Sequence, residues 1–185
     1  MAPLNHDFPF QPAGRHLFAP PKLYRYSQRQ WLERSLQLGE FLLRPTGPRQ
    51  SDSALRNRIL PFAARRAAQP ANYLTLSLAN AWDDTLFDTF AGADCCLVVH
   101  QAEEFGERLH RAVQRVLPSW VGIDAAVSYG LPSPLGAVFS KSTQQALEKE
   151  WLFAWRPLQR ELLAHPLVIR IGSMEGIAEL RCRTA

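Results

Sequence analysis

The apolar segments of this chain are short, most of them lie in its second half, and they do not alternate regularly with helices. Each spans fewer than ten residues, and several are rich in β-branched or aromatic side chains, as strands are. A doubly wound parallel sheet needs a helix between successive strands, so this order favours a mixed or antiparallel sheet flanked by helices. We therefore predict an α+β fold with a long helix at 103–117 and strands at 40–43, 72–78, 95–100, 121–129, 151–155, 167–171 and 177–182.

A strand and a capped helix are predicted at the start of this fold. Leu23–Tyr26 has the composition of a strand, and Ser27 is a plausible N-cap for a helix over residues 28–38. Gly39 would end that helix. The helix is expected to direct four side chains inward: Trp31, Leu32, Ser35 and Leu36.

Length and composition predict one folded domain preceded by an arm. A chain of 185 residues with 46% hydrophobic and 21% charged residues is typical of a globular domain with one core. Residues 1–22 contain five prolines and little periodicity, so we expect an extended, Pro-rich arm there and a single domain over residues 23–185.

The sequence carries no sign of export or membrane insertion. It lacks an apolar run of about 18 residues, and its first residues lack the apolar core of a secretory signal. Three cysteines, Cys95, Cys96 and Cys182, suit a reducing compartment. The adjacent pair Cys95 and Cys96 is expected in the core. We expect a cytoplasmic protein, or one delivered by a signal-less secretion system, with no membrane partner.

Positive charge is concentrated in the first third of the chain. Residues 1–70 contain ten Arg and one Lys against four acidic residues. A basic helix predicted from Ser53 carries four of these arginines: Arg56, Arg58, Arg65 and Arg66. These arginines form either a solvated basic face or a surface that binds phosphate groups. Such phosphate groups would belong to a cofactor or to a nucleic acid.

Several familiar sites are excluded by their motifs. No G-x-G-x-x-G follows a predicted strand, and no P-loop is present. No Cys/His cluster has zinc spacing, so we predict no metal. The five histidines are scattered, without the spacing of a catalytic base or a ligand set.

A pair of glutamates opens one predicted strand. If that strand begins at Glu148, alternation along it directs Glu148 and Glu150 to one face and Lys149 to the other. Two carboxylates there could stabilise a cationic sugar and activate an acceptor, whereas the alternative is a solvated charged turn.

Two further predicted strands present polar side chains. Thr75 and Ser77 share one strand face and could orient a charged neighbour by hydrogen bonds. Arg25 lies in the first strand between two tyrosines, where it either faces water or meets a buried anion.

Together these segments resemble the Arg-Ser-Glu pattern of ADP-ribosyltransferases. Leu-Tyr-Arg at 23–25, Leu-Thr-Leu-Ser-Leu at 74–78 and Leu-Glu-Lys-Glu-Trp-Leu at 147–152 match that pattern in order and local form. Residues 22–172 also resemble a bacterial domain-of-unknown-function family related to abortive-infection proteins. That likeness rests on 23–26, 76–78, 82–91, Lys141-Ser142 and 148–150.

The resemblance implies an ADP-ribosyltransferase-like fold and NAD as substrate. Arg25 would hold the NAD phosphate or nicotinamide ribose, and Ser77, with Thr75 beside it, would orient Arg25 and the glutamate. Glu150 would stabilise positive charge as nicotinamide leaves, and Glu148 would help to deprotonate the acceptor. An aromatic residue should stack on nicotinamide, and the candidates are Tyr24, Tyr26, Trp82 and Phe87.

Two functions compete at this point. The first is transfer of ADP-ribose from NAD to a macromolecular acceptor, by a toxin, effector or phage-defence protein with a possible cognate immunity or antitoxin protein. The second is a non-catalytic module of the same fold that binds nucleic acid or protein through the Arg-rich first third. An immunity or adaptor role for the chain itself has no positive signature.

Overall fold

A computed structural model describes residues 20–46, 73–158 and 166–183. In these ranges short strands outnumber helices, as the sequence predicts. The first elements are β1 (Leu23–Ser27), α1 (Arg29–Leu38), β2 (Glu40–Pro45), β3 (Leu74–Ala79), α2 (Leu86–Thr89), β4 (Cys95–Val99) and α3 (Ala102–Val116). They are followed by β5 (Trp120–Ala126), β6 (Ser128–Tyr129), a 3-10 helix (Ala137–Phe139), β7 (Ser140–Lys141), a second 3-10 helix (Thr143–Glu148), β8 (Glu150–Pro157), β9 (Leu167–Arg170) and β10 (Ala178–Cys182).

The described strands form one large antiparallel sheet and one small parallel pair. The large sheet has the order β10-β4-β1-β3-β2-β9, and β8 continues from β3 to β5. The small pair is β6 with β7. This is the mixed α+β architecture, with a large antiparallel sheet and few helices, that the strand spacing predicts.

The large sheet opens at β3, and this opening positions the site. β1 pairs with β3 only at Tyr24 opposite Ala79, whereas β2 pairs with it only at the other end, where Arg44 lies opposite Thr75 and Pro45 opposite Leu74. Between these contacts, the middle of β3 has no strand partner on that side within the described ranges. On its other side β3 pairs with β8 along its whole length.

The main core lies between the sheet and α3. Phe105, Leu109 and Val113 follow one another at four-residue spacing on α3 and are fully buried. They belong to one apolar cluster with Phe41 from β2 and Phe153 from β8. On the opposite face of β8, Leu152 and Ala154 are buried in another apolar cluster, and only Glu150 at the start of that strand lines the pocket described below.

Helix α1 differs from its prediction in two respects. Ser27 remains in β1, opposite Cys95, and is not the N-cap; Gln28 holds that position without a side-chain cap. The carboxylate of Asp94 instead accepts the first helical N–H, from Arg29, at 2.7 Å. Trp31, predicted to face inward, is 58% exposed, whereas Leu32 and Ser35 are buried.

No helix in the described ranges has the length and apolar character needed to cross a membrane.

One pair of cysteines departs from the expectation of free thiols. Cys95 on β4 lies directly opposite Cys182 on β10, and the two form a disulfide across 87 residues of sequence. The register of β4 and β10 creates this pairing, and cysteine spacing alone does not reveal it. Cys96 is fully buried, as expected of a core residue, and burial raises the pKa of its thiol to about 12.

A chain of hydrogen bonds joins α3 to β5 and β8. Trp155 Nε1 donates to His110 Nδ1 at 3.0 Å, and His110 Nε2 lies 2.8 Å from Asp124 Oδ1. Trp151 Nε1 donates to the other oxygen of Asp124 at 2.9 Å. Because an indole N–H only donates, Nδ1 of His110 is the acceptor and Nε2 carries the proton.

Gly122 makes this contact possible, and its substitution should destabilise the fold. A Cβ at Gly122 would lie 2.4 Å from both His110 Nδ1 and Trp155 Nε1. We expect Gly122→Ala to lower the free energy of unfolding by about 1–3 kcal/mol, measured by urea denaturation. Gly106→Ala is the control, since its Cβ would meet Phe153 at an ordinary 3.4 Å and alanine favours the helix. Equal losses in the two variants would contradict this account.

Candidate functional site

A pocket of about 320 Å³ occupies the opening of the large sheet. Its lining contains seven of the predicted site residues, from three separate segments of the chain: Tyr24, Arg25, Tyr26, Thr75, Ser77, Glu148 and Glu150. A larger pocket of about 480 Å³ lies at the start of α3, where its charged lining consists of glutamates. Only the first of these pockets combines basic, hydroxyl and acidic groups.

Glu150 is the most buried acidic group of the pocket. It is the first residue of β8 and is 6% exposed. Glu150 lies opposite Ala79 on β3, and alternation places Ser77 on the same face of that strand. Ser77 Oγ donates a hydrogen bond of 2.6 Å to Glu150 Oε1. The predicted contact between the serine and the glutamate is therefore present.

Lys141 brings the two glutamates together. Its Nζ forms an ion pair with Glu150 Oε2 and donates to Glu148 Oε2 at 3.3 Å. Among the described residues, Glu150 Oε2 accepts no hydrogen bond of normal geometry beside that ion pair. Lys141 belongs to the Lys141-Ser142 motif, but its local sequence predicts no role for it.

The predicted geometry of the glutamate pair is wrong, although the pair itself exists. Glu148 is the last residue of the second 3-10 helix, and β8 begins only at Glu150. Lys149 between them is left-handed, with φ 42°, so the segment is a turn and not an alternating strand. Lys149 Nζ points to Asp83, 3.4 Å from its Oδ2.

The backbone of Glu150 is fixed by Tyr129 of the small parallel pair and by Val127, the residue just before that pair. The N–H of Glu150 donates to Tyr129 Oη at 2.8 Å, and its carbonyl accepts from Val127 N at 3.0 Å. Burial raises the pKa of Tyr129, so its hydroxyl stays neutral at pH 7. Lys141 lies opposite Tyr129 in β7. One small unit therefore holds both the glutamate and its lysine.

Arg25 lines the pocket from β1, on the strand face that also carries the core residue Leu23. Ser77 and Glu150 lie on the other face of the sheet, so the pocket reaches through the opening beside β3. Arg25 lies on the face of β1 opposite Tyr24 and Tyr26, and its guanidinium carbon is 5.9 Å from the centroid of the Phe41 ring.

Burial and the nearby charge of Arg44 lower the pKa of Arg25 to about 10, which still leaves it protonated at pH 7. Within the described ranges neither arginine has an acidic ion-pair partner, and Arg25 makes no hydrogen bond to Ser77. The predicted orientation of Arg25 by Ser77 therefore has no direct hydrogen bond behind it in the described ranges and stays a prediction.

Arg44 was missed by the sequence analysis. It lines the pocket from β2, where its carbonyl accepts a hydrogen bond of 3.2 Å from Thr75 Oγ1. The hydroxyl of Thr75 is therefore engaged in tethering β2 to β3, even though Thr75 borders the pocket as predicted. The signal that could have found Arg44 is its basic side chain at the end of a predicted strand.

The aromatic candidates divide into two groups. Tyr24 and Tyr26 line the pocket, together with Phe90, which the sequence analysis did not single out. Trp82 and Phe87 are described but do not line it. Trp82 packs against Tyr24 and Tyr26 with ring centroids 5.9 and 5.8 Å apart, and Phe87 is buried in the same cluster.

Tyr26 has little freedom to act as a stacking platform. Its hydroxyl accepts a hydrogen bond of 2.9 Å from Asp83 N, and it is 7% exposed. Burial raises its pKa, so the hydroxyl is neutral. Tyr24 and Phe90 remain the aromatic residues of the pocket that are only partly buried.

The four arginines predicted to bind the acceptor, Arg56, Arg58, Arg65 and Arg66, lie outside the described residues. In the described ranges no group of three or more His, Cys, Asp and Glu side chains is arranged to hold a metal ion.

Comparison with known proteins adds no assignment. No family model matches the chain, and neither a curated protein nor a solved structure matches it significantly.

Proposed function

We propose that this chain is an NAD-dependent ADP-ribosyltransferase and that its opened sheet is an ADP-ribosyltransferase-like fold. The observation that carries the proposal is the convergence of Arg25, Ser77 and two glutamates on one pocket, with Ser77 bonded to Glu150. These residues come from three distant segments, and the motifs of those segments resemble the motifs of ADP-ribosyltransferases. The presence of these residues in the lining of a single pocket supports the proposal, because the chemistry needs these groups in one site.

The basic and acidic groups of the pocket suit two neighbouring parts of the nicotinamide nucleotide, its phosphate and its ribose. Arg25 and Arg44 provide guanidinium groups, which bind phosphate through paired N–H donors. Glu150 can accept a hydrogen bond from a ribose hydroxyl. The pocket volume lies at the lower end of the range for small-molecule sites. We therefore assign it the nicotinamide ribose and the adjoining phosphate, with Tyr24 or Phe90 beside the nicotinamide ring.

The proposed reaction breaks the bond between nicotinamide and C1 of its ribose. Nicotinamide leaves with the bonding electron pair, so positive charge develops on the ribose. The carboxylate of Glu150 stabilises that charge from a fixed position, the kind of electrostatic term that is usually largest in a site. The acceptor then forms the new bond to C1 and gives up a proton, which Glu148 accepts.

Nicotinamide release tests this proposal directly. We expect the purified 185-residue chain to release nicotinamide from NAD and to transfer label from labelled NAD to a component of a bacterial lysate. NAD should also raise its melting temperature, because a ligand that binds only the folded state stabilises it. The alternative is a module that binds nucleic acid. It would be supported if NAD gave no nicotinamide release and no thermal shift, while RNA or DNA bound in a salt-sensitive way.

A further inference from the structure

Lys141 lies between the two glutamates of the pocket and contacts both. Its side chain is 12% exposed, compared with 7% for Glu150 and 21% for Glu148. All three groups are therefore largely removed from water. The contact to Glu150 is an ion pair, and the contact to Glu148 is a hydrogen bond of 3.3 Å.

Two carboxylates that share one cation would repel each other without it. In a partly buried site this repulsion is much less screened than in water. Loss of one partner from such an ionic group is strongly unfavourable, because the remaining charges are left uncompensated. Lys141 thus offsets the repulsion between Glu148 and Glu150 and holds the two carboxylates side by side.

The local fold holds Lys141 in this position. Its carbonyl accepts a hydrogen bond of 2.9 Å from Gly130 N, and its neighbour Ser140 pairs with Ser128. Ser140 Oγ also accepts from Ser133 N at 2.9 Å, which anchors the loop that leads into β7. The same unit binds the backbone of Glu150 through Tyr129. The ammonium and the carboxylates are therefore parts of one small framework.

We propose that Lys141 is a positioning residue that holds Glu148 and Glu150 next to each other for the transfer of ADP-ribose. This inference rests on the proposed function. One ammonium and two carboxylates leave one negative charge in excess, which matches the single positive charge that develops on the ribose. Lys141 acts through the glutamates and does not itself contact the reacting atoms.

The first readout is nicotinamide release from NAD without an added acceptor, so that the role of Glu148 toward the acceptor does not enter. We expect Lys141→Met to lower kcat about 100-fold with a smaller change in KM, and Lys141→Arg to keep most of the activity. Adding Glu148→Gln to Lys141→Met should restore about tenfold of the loss, because the repulsion is then removed. Lys22→Met, which removes an exposed lysine, is the control and should match the wild type.

The second readout needs no substrate. We expect Glu148→Gln to raise the urea unfolding midpoint in the Lys141→Met background but not in the wild type. Additive effects of the two substitutions on this midpoint would overturn the inference, as would full activity of Lys141→Met. Absence of nicotinamide release from the wild-type chain would instead overturn the proposed function, whatever the midpoints show.

Discussion

Glu150→Gln should abolish nicotinamide release while leaving the fold intact. The amide is nearly isosteric with the carboxylate: its oxygen can accept from Lys141 Nζ, and its NH2 can donate to Ser77 Oγ, because a hydroxyl accepts as well as donates. The substitution removes the negative charge that faces the developing ribose cation. We expect kcat for nicotinamide release to fall about 1,000-fold with KM for NAD changed by less than about threefold, because the charge acts mainly in the transition state.

Glu107→Gln provides the matched control. Glu107 is an exposed glutamate on α3 and lies away from the opened sheet. Release is followed by quantifying free nicotinamide, and folding is checked by circular dichroism and the melting temperature. Retention of wild-type kcat by a folded Glu150→Gln protein would remove Glu150 from the reaction.

The sequence predicts which residues line the pocket better than how they contact each other. The alternation of Thr75 and Ser77 places both on the pocket side of β3, and Ser77 reaches Glu150 as predicted. The glutamate pair is brought together for a different reason from the predicted one. Lys149 adopts a left-handed conformation and ends a 3-10 helix before the strand begins. The apolar pattern of the strand that follows does not predict such a turn.

Residues that depend on pairing between distant strands were missed. Lys141 reaches the glutamates because β7 pairs with β6, and each of these strands has only two residues. Arg44 borders the pocket because β2 diverges from β3 after two paired positions. Strand composition and local periodicity predict the existence of strands, but the register between them is set by packing across the whole domain.

The fold shows the same division between local and distant determinants. The helix and strand segments are largely where the sequence predicts them, because apolar periodicity is a local property. The disulfide between Cys95 and Cys182 and the capping of α1 by Asp94 both join segments that lie far apart in sequence. Gly39 depends on both local and distant determinants. Its role in ending α1 is local, whereas its close approach to the backbone of Gly172 joins distant segments.

Gly39→Ala should destabilise the domain strongly. Gly39 ends α1 in a left-handed conformation, with φ 65°, and its N–H donates to Ser35 O at 3.0 Å. A Cβ there would lie 2.1 Å from the carbonyl oxygen of Gly172 and 2.8 Å from its nitrogen. These are backbone atoms, and Gly39 O also accepts a hydrogen bond from Ile171 N at 3.1 Å, so the two segments cannot separate without losing a contact.

We expect Gly39→Ala to lower the free energy of unfolding by about 3–5 kcal/mol, as the sum of the left-handed penalty and the backbone clash. Gly176→Ala isolates the first of these effects, because Gly176 has φ 96° and a Cβ there would meet no atom within 4 Å. It should lose only about 1–2 kcal/mol. Urea unfolding of both variants measures the difference. If the two lose the same stability, the close approach of Gly39 to Gly172 is absent in solution, and the attachment of α1 to the segment after β9 must be revised.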